Sequence, residues 1–574
     1  MAISVLDSRR LTGPGVLLDG PGAVIDVRLE DSVEQAIAAW RRSAGHLLEE
    51  VGWGNERLVS RRFPGGVSLA FTAPVDGLYA ATELNERAWE AAAAELHGRP
   101  APNLGADVAA LRSAIASERN PALVAIRQAA RDRGLTFLSG EELVSVGSGT
   151  GALVWPAQSL PEPGAVDWSR VHDVPIALVT GSNGKTTVVR LLAEMVRQAG
   201  RVPGFTSTEG VFAGSEPIGE GDFSGPSGAR LVLRHPHVQT AILETARGGI
   251  LRRGLAVERA NVALVTNVAE DHLGEFGVET LAQLADTKLV VAKALGSGGT
   301  LVLNADDPML VERHQQAAGP LTWFSLDASS PLVADHIQPG GTAVVADGEH
   351  LVLIRRGAPH PLVPLSDIPI TFGGSAEHNI ANALAATAVG DALGIEIEPM
   401  AAALRRFGRT AADNPGRANL IEVGGVRVLI DYVHNPHGMM ALVRLVERLP
   451  GGRRLIMLGQ AGDRGDEAIR HLARAAWSLR PDRVMIKDMA EYLRGRAPGE
   501  VPSLLSDEFT RLGVDDAAIT RVGRDVEGVR QALAWARPGD LLIMAVHQDR
   551  SEIMALLGRL QAAEWRAGQA LPAA

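Results

Sequence analysis

Residues 174–199 have the sequence VPIALVTGSNGKTTVVRLLAEMVRQA. The apolar run at 176–179 predicts a buried strand, the glycines that follow predict a tight loop, and the next residues predict an amphipathic helix. A strand, a glycine loop and a helix in this order aim backbone N–H groups and a helix N-terminus at phosphate oxygens. The pattern predicts a phosphate-binding loop formed by Gly181, Ser182, Asn183, Gly184, Lys185, Thr186 and Thr187.

The loop is a variant of the general phosphate-loop motif GxxxxGK[ST]. Val179 stands where that motif has its first glycine, and the variant TGSNGKTT places a glycine at 181 instead. Lys185 can still reach the terminal phosphates of a nucleotide, and the Thr186 hydroxyl can bind Mg²⁺. We therefore predict a site for a nucleoside triphosphate and Mg²⁺.

Length and composition bound the class of protein. A chain of 574 residues allows three or four domains, and 46% hydrophobic with 21% charged residues is ordinary for a globular protein. A net charge of −11 argues against nonspecific nucleic-acid binding. The absence of cysteine excludes disulfides, thiolate metal sites and cysteine nucleophiles. No apolar run is long enough for a membrane span or a signal peptide, so we expect a cytoplasmic protein without a membrane partner. A homo-oligomeric state is compatible with this composition.

Alternation of strand-like and helix-like segments predicts an α/β protein of three domains. Residues 1–165 are expected to form a first α/β domain that ends at the linker near Pro161. Residues 166–410 alternate strand and helix and predict a mainly parallel sheet, and residues 411–574 predict a second, smaller doubly wound domain. Tryptophans 40, 53 and 89 and His46 in the first domain are interpreted as core or interface residues.

Three strands of the middle domain are followed by polar residues. These are Glu244 after the first, Asp271 and His272 after the second, and Asp306 after the third. Ligands bind at the carboxyl ends of the strands in an open α/β sheet, so these side chains should converge near Lys185. Glu244 then stands where Mg²⁺ needs a carboxylate. A structural role for His272 stays equally open at this point.

A resemblance to the Mur ligase superfamily rests on seven motifs. They are, in order, TGSNGKTT, ETARGG, TNVAEDHL, NADDP, HNIANALAA, PGR and DYVHNP. Members of this superfamily use ATP to join a carboxylate to an amine. The segments FTSTEGV, LETARGGILRRGL, GDRGDE and RGR resemble the Mur-ligase module of cyanophycin synthetases. RRLTGP near Arg10 and AIRQAARDRG at 125–134 are similar to the first domain of those enzymes.

This chain differs from the cyanophycin synthetases at one point that bears on function. Cyanophycin synthetases carry an ATP-grasp module between these parts, whereas this chain passes from Leu153 directly into the Mur-like part. Only one amide-forming site is then expected, and alternating addition of aspartate and arginine by one polypeptide is not. The resemblance implies an N-terminal α/β domain, a central ATPase domain with a P-loop and parallel sheet, and a Rossmann-like C-terminal domain.

The resemblance also implies roles for single residues. Lys185 and the loop amides would hold the β- and γ-phosphates, and Thr186 and Glu244 would bind the first Mg²⁺. His272 would bind a second Mg²⁺, helped by Lys288 if that lysine is carbamylated; unmodified, Lys288 would contact phosphate. The remaining nucleotide contacts would be Asn379 and Asn382 at the adenine, Arg417 at the γ-phosphate, Asp431 at the ribose, and His434 nearby.

The substrates are a small carboxylate or peptide and an amino acid amine, by the same resemblance. Candidate contacts are Arg247, Asp463, Arg464, Asp488, Glu491, Arg494 and Arg496. Asp488 and Glu491 could pair with a guanidinium, whereas the arginines could hold a carboxylate. An aspartate-type carboxylate joined to arginine or another amino acid is the leading hypothesis. The alternatives are a peptidoglycan- or folate-type ligase and a nucleotide-binding scaffold that partners a separate ATP-grasp ligase.

Overall fold

The structure is a computed structural model that describes residues 3–100, 103–316 and 319–572. The first sheet has four antiparallel strands in the order β1-β2-β4-β3, covered by helices. Trp40 and Trp89 are buried between this sheet and the helices, and Trp53 packs against the same core, whereas His46 is exposed. The elements are β1 (Ser4–Leu11), β2 (Gly22–Arg28), α1 (Val33–Glu50), β3 (Leu58–Phe63), β4 (Gly66–Thr72), α2 (Leu78–Leu96) and α3 (Leu104–Glu118).

A three-stranded antiparallel sheet leads into the middle of the chain. Its strands are β5 (Phe137–Ser139), β6 (Leu143–Val146) and β7 (Leu153–Pro156), and helix α4 (Pro121–Asp132) precedes them. The glycine-rich segment at 147–151 forms a short 3₁₀ turn between two of these strands.

The middle of the chain forms an eleven-stranded sheet in the order β11-β10-β9-β12-β8-β13-β14-β15-β16-β17-β18. Its elements are β8 (Ile176–Thr180), α5 (Lys185–Gln198), β9 (Pro203–Ser207), β10 (Gly210–Ala213), β11 (Glu216–Glu220), α6 (Pro226–Arg234), β12 (Thr240–Glu244), α7 (Arg247–Arg253), β13 (Ala260–Val265), α8 (Leu281–Leu289), β14 (Leu295–Asn304), α9 (Pro308–Arg313), β15 (Leu321–Ser325), α10 (Pro331–Ile337), β16 (Thr342–Asp347), β17 (His350–Arg355), β18 (Ala358–Pro364), α11 (Glu377–Ala392) and α12 (Ile397–Arg406). The central strands are parallel, and the strands at both edges are antiparallel.

Strand β8 lies between β12 and β13, and all of its residues are buried. Ala177 and Val179 face a core shared with α5, α11 and α12, whereas Ile176 and Leu178 face the core under α6, α7 and α8. Helices on both faces of a parallel sheet explain the uninterrupted apolar run of this strand. Because β12 and β13 pair in parallel with β8, their carboxyl ends lie beside the glycine loop that follows β8.

The last part of the chain forms a six-stranded sheet in the order β19-β20-β24-β21-β22-β23, parallel except for β19. Its elements are β19 (Asn419–Val423), β20 (Val426–Asp431), α13 (Pro436–Arg448), β21 (Arg454–Leu458), α14 (Asp466–Trp477), β22 (Arg483–Lys487), α15 (Glu500–Arg511), β23 (Ile519–Val522), α16 (Asp525–Trp535), β24 (Leu541–Ala545) and α17 (Arg550–Ala562). The predicted doubly wound arrangement is confirmed, with buried clusters on both faces of the sheet. The α/β class is confirmed over the described residues as a whole.

Helices in the described ranges are all too short or too polar to cross a membrane.

Candidate active site

A cleft of about 990 Å³ lies between the eleven-stranded and six-stranded sheets. The glycine loop and the ends of β12, β13 and β14 line it from one side. The residues after β20 line it from the other side. The three polar strand tips predicted from sequence, represented by Glu244, His272 and Asp306, all reach this one cleft.

The glycine loop has the backbone that its two glycines permit. Gly181 and Gly184 have φ of +148° and +88°. A Cβ at Gly184 would lie 2.1 Å from Asn382 Oδ1, so both its conformation and its surroundings require glycine. Lys185 Nζ donates to Gly181 O at 3.0 Å and to Ser182 O at 3.2 Å. The ammonium group thus lies over the concave side of its own loop, where phosphate oxygens would be held.

Thr186 and Glu244 meet at the base of the cleft. Thr186 Oγ1 donates to Glu244 Oε2 at 3.0 Å. Glu244 is 2% exposed, and its Oε1 is buried without a hydrogen-bond partner among the described residues. Burial raises the pKa of Glu244. An unpaired carboxylate oxygen beside a hydroxyl fits a divalent cation, because Mg²⁺ takes oxygen ligands of this kind.

Arg417 reaches this pair from the segment that precedes β19 of the six-stranded sheet. Its Nη2 donates to Thr208 Oγ1 at 3.2 Å and to Thr186 Oγ1 at 3.5 Å. Its guanidinium carbon lies 4.3 Å from the centre of the Tyr432 ring, so the side chain is held by a cation–π contact. Thr208 and Tyr432 were not assigned from sequence. Thr208 lies in the motif FTSTEGV and Tyr432 in the motif DYVHNP, and these motifs could have pointed to both residues.

His272 lies close to Arg464 and Asp463, which come from the other side of the cleft. Arg464 Nη1 and Nη2 lie 2.8 Å and 2.7 Å from its two ring nitrogens. Burial and the nearby Arg464 cation lower the pKa of His272 to about 4, although the Asp271 carboxylate acts to raise it. The imidazole is therefore neutral at pH 7, the form that binds metals. His272, Glu275 and Asp463 each offer a ligand atom within 4.8 Å of the others.

Asp271, next to His272, is a residue that sequence reasoning left without a role. Burial alone would raise the pKa of Asp271, but the neighbouring His434 imidazole and the Arg464 charge lower it well below the usual range. His434 Nε2 lies 3.8 Å from Asp271 Oδ2, and Arg464 Nη2 donates to Oδ1 at 3.3 Å. Asp271 therefore links both sides of the cleft.

Lys288 is buried in the cleft wall with 2% of its surface exposed. Burial, together with the neighbouring Lys185 cation, lowers the pKa of Lys288 to about 7. A large fraction of this amine is consequently uncharged at neutral pH. The structure thus gives Lys288 a chemical state that an exposed helix lysine does not have.

The predicted adenine and ribose contacts also line the cleft. Asn379 Nδ2 donates to Ile370 O at 2.8 Å, and Asn382 Nδ2 donates to Asn379 Oδ1 at 3.1 Å. Asp431 Oδ2 accepts the backbone N–H of Ala418 at 2.8 Å. All three side chains line the cleft, and their nucleotide roles stay predictions.

The candidate substrate residues separate into two groups. Arg247, Arg464 and Arg494 line the cleft. Asp463 is not part of the lining; its carboxylate lies 2.9 Å from Arg464 Nη1 and pairs with Arg494.

The other three candidates are not part of the cleft lining. Glu491 accepts from Gln548 Nε2 at 2.6 Å, and Arg496 pairs with Asp466 and Glu500. Asp488 is half-buried, and its backbone N–H joins the sheet next to β23 through Val522 O. The geometry gives no support to Asp488 and Glu491 as a guanidinium clamp, and the substrate role of this group stays a prediction.

The fold and the cleft define an α/β protein with a phosphate-loop site that a second, Rossmann-like sheet closes. Residues 179–390 match the Mur ligase middle domain, and residues 416–545 match the Mur ligase, glutamate ligase domain. The chain carries the middle and C-terminal domains of Mur ligases and belongs to that family over these residues.

Known relatives share this part of the chain. A cyanophycin synthetase of Nostoc sp. strain PCC 7120 is 38% identical over 371 residues, which are 65% of this chain and 41% of the relative. The chain thus spans less than half the length of that relative. A UDP-N-acetylmuramoyl-L-alanyl-D-glutamate–2,6-diaminopimelate ligase of Geobacillus thermodenitrificans is 24% identical over 65% of this chain and 74% of its own. The solved structure of E. coli FolC in complex with DHPP and ADP matches with a TM-score of 0.50 at 18% identity, over 67% of this chain and 89% of FolC.

Proposed function

We propose that this protein is an ATP-dependent amide ligase that phosphorylates a substrate carboxylate and joins it to the amine of an amino acid. One observation carries the proposal. Lys185, the Thr186–Glu244 pair and Arg417 converge in one cleft although they come from two sheets. A phosphoryl-transfer site needs these groups, because positioning and charge neutralisation do most of its catalysis.

The reaction requires ATP because a carboxylate does not react with an amine at neutral pH. An oxygen of the carboxylate attacks the γ-phosphorus, the bond to the β–γ bridging oxygen breaks, and ADP leaves. The product is an acyl phosphate. The amine nitrogen then attacks the acyl carbon, and the tetrahedral intermediate expels inorganic phosphate as the nitrogen loses a proton. The amide, ADP and phosphate balance the atoms of the three substrates.

The protein's own residues stabilise the negative charge that develops in both steps. Lys185 would turn from its loop carbonyls towards the β- and γ-phosphates. Arg417 already lies against Thr186 and is oriented by the Tyr432 ring, so it would meet the γ-phosphate. Groups of this kind each contribute on the order of 10²–10³ in rate.

Thr186 and Glu244 would hold Mg²⁺, which supplies charge neutralisation at the phosphates when it is bound. The unpartnered Glu244 Oε1 supports this assignment. A second Mg²⁺ at His272 requires Arg464 to move first, since its guanidinium lies against both ring nitrogens.

We infer that both substrates carry carboxylates. Several arginines line the cleft, among them the candidate substrate contacts Arg247, Arg464 and Arg494, and guanidinium groups bind carboxylates in a bidentate manner. Arg464 and Arg494 pair with Asp463, and Arg247 pairs with Glu275, so a substrate carboxylate would share these guanidinium groups with the protein's own acids. An aspartate-type carboxylate and an amino acid such as arginine remain the leading pair, in a cytoplasmic protein.

The test is a phosphate-release screen over amino acids and aspartate-containing peptides, followed by mass spectrometry of the products. A ligase releases phosphate at a high rate only when a carboxylate and an amine are both present. Lys185→Ala should abolish this release without changing the unfolding temperature. Release that ignores the second substrate would favour the nucleotide-binding scaffold, and so would nucleotide binding without any release.

A further inference from the structure

The segment of residues 271–278, which precedes α8 and is here called the 271–278 loop, carries three groups of the cleft. Asp271, His272 and Glu275 all belong to the cleft lining. Glu275 also holds a fourth lining residue, because Arg247 Nη1 donates to its Oε2 at 2.9 Å and Arg247 Nη2 donates to its backbone O at 3.0 Å. The loop therefore fixes one of the arginines that the proposed function assigns to a substrate carboxylate.

The backbone of the 271–278 loop is strained. His272 and Phe276 both have φ of +52°, in the left-handed region that residues with a Cβ disfavour. Inside the loop, the Gly274 N–H donates to Val278 O at 2.9 Å, and the Val278 N–H donates to Glu275 O at 3.1 Å. Strained conformations persist where the surrounding structure holds them in place. The two strained residues therefore need contacts from beyond the loop itself.

Strand β3 of the N-terminal sheet supplies such contacts. Arg61 Nη2 donates to Gly277 O at 3.0 Å and to Phe276 O at 3.3 Å. Phe63 lies so close to Gly277 that a Cβ there would be 2.6 Å from the Phe63 ring. Gly277 has φ of +65°, so its conformation and this close approach both require glycine. One strand of the N-terminal sheet thus covers the end of the loop.

The Phe276 ring lies against arginines from two parts of the chain. The guanidinium carbon of Arg9, in β1, is 5.0 Å from the ring centre, and that of Arg252, in α7, is 5.5 Å from it. Both distances are those of cation–π contacts. Arg9 is itself fixed, because it pairs with the buried Asp26 at 2.6 Å and its Nε donates to Leu251 O at 2.8 Å. An anchored arginine of the N-terminal sheet therefore helps to hold Phe276.

We propose that Arg61 and Arg9 are positioning residues, which hold the 271–278 loop and, through Glu275, orient Arg247 towards the carboxylate substrate. Both residues lie outside the two family matches, the first of which begins at residue 179. The part that concerns substrate rests on the proposed function. The support of the loop by the N-terminal sheet does not.

The first experiment examines the loop in the full chain and needs neither substrate nor turnover. Arg61→Met keeps the aliphatic stem and removes the groups that donate to the loop carbonyls. Hydrogen–deuterium exchange followed by mass spectrometry should then show faster exchange of the Gly274 and Val278 amides, on the order of fivefold or more. The amides of the buried strand β8 should exchange as in the parent.

Arg62→Met is the matched control. Arg62 is the next residue of β3, is exposed and pairs with Glu34, so it lies on the opposite face of the strand from Arg61. Arg61→Gln repeats the measurement with a polar side chain, in case Arg61→Met does not fold. Unchanged loop exchange in a folded Arg61 variant would overturn the proposal. Equal acceleration in Arg62→Met, or equal acceleration in β8, would overturn it as well.

The second experiment tests the orientation of Arg247 in the ligase reaction. Arg61→Met should raise KM for the carboxylate substrate on the order of tenfold. KM for ATP should stay unchanged, because Lys185 and the glycine loop belong to a different segment, after β8. A loss of folded protein lowers the amount of active enzyme and moves neither KM, so this result separates positioning from stability.

The two proposals fail separately. Equal KM values for the carboxylate substrate in Arg61→Met and Arg62→Met would overturn the link from the N-terminal sheet to Arg247. A parent chain that does not ligate would refute the proposed function, and the exchange measurement would still decide whether the N-terminal sheet supports the loop.

Discussion

Glu244 accepts a hydrogen bond from Thr186 through Oε2 at 3.0 Å and leaves Oε1 buried and unpaired within the described structure. A carboxylate in this state is costly unless a cation joins it. The unpaired oxygen supports the proposal that Thr186 and Glu244 hold Mg²⁺.

Glu244→Gln should lower kcat on the order of 10²–10³, since the amide keeps the shape but loses the charge that holds Mg²⁺. Calorimetry should show that Mg²⁺ no longer strengthens ADP binding. Glu194→Gln is the matched control, because Glu194 is equally buried in the same sheet domain but pairs with Arg197 and Arg406. A Glu244→Gln enzyme with normal magnesium dependence would refute the assignment.

Arg417 should not tolerate lysine. Lysine keeps the positive charge but loses the planar contact with Tyr432 and the fork that reaches Thr186 and Thr208. We expect kcat to fall on the order of a hundredfold with little change in KM for ATP. Arg409→Lys at an exposed position should have no effect. A rise in KM for ATP with an unchanged kcat would indicate a ground-state contact instead.

Lys288 should make stability depend on pH. In the unfolded chain Lys288 keeps its proton up to about pH 10.5, whereas in the folded chain it loses the proton near pH 7. Between these values the unfolded chain holds the extra proton, so stability rises with pH, by at most about 1.4 kcal/mol per unit. Lys288→Met removes this contribution.

Urea unfolding in CO₂-free buffers measures the effect. The stability advantage of Lys288→Met over the parent should be largest at pH 7 and shrink by pH 9. Lys293→Met, at an exposed lysine that pairs with Asp19, should show no such trend. Parallel curves for Lys288→Met and the parent would contradict the buried-amine account.

Carbamylation of Lys288 gives a separate prediction, because CO₂ reacts with an uncharged amine. If the carbamate is the working form, Lys288→Ala should lose most activity, and a small carboxylate such as acetate should restore part of it. Bicarbonate should also stimulate the parent. If the lysine itself contacts phosphate, methylamine and not acetate should give the rescue.

The phosphate loop, Glu244 and the middle strand tips could be predicted because they depend on adjacent parallel strands. Strand β8 is flanked by β12 and β13, so the tips of neighbouring strands must meet at one edge. A polar residue at the carboxyl end of a predicted parallel strand can therefore be assigned to the ligand-binding edge of the sheet.

Contacts between the two sheets could not be predicted in the same way. Asp271 meets Arg464 and His434 across the cleft, and Glu491 turns to Gln548 instead of the cleft. These outcomes depend on how one folded unit packs on another, which strand and helix periodicity does not encode. The hydrogen bond from Arg230 in α6 to Thr12, just after β1, depends likewise on the packing of α6 against the N-terminal sheet.

The most direct test of the central claim follows an oxygen atom. A carboxylate substrate labelled with ¹⁸O is incubated with the enzyme, ATP, Mg²⁺ and the amine, and the released phosphate is analysed by mass spectrometry. Activation as an acyl phosphate predicts one ¹⁸O in each phosphate released during amide formation, and none with Lys185→Ala. Amide formation with unlabelled phosphate would contradict the account.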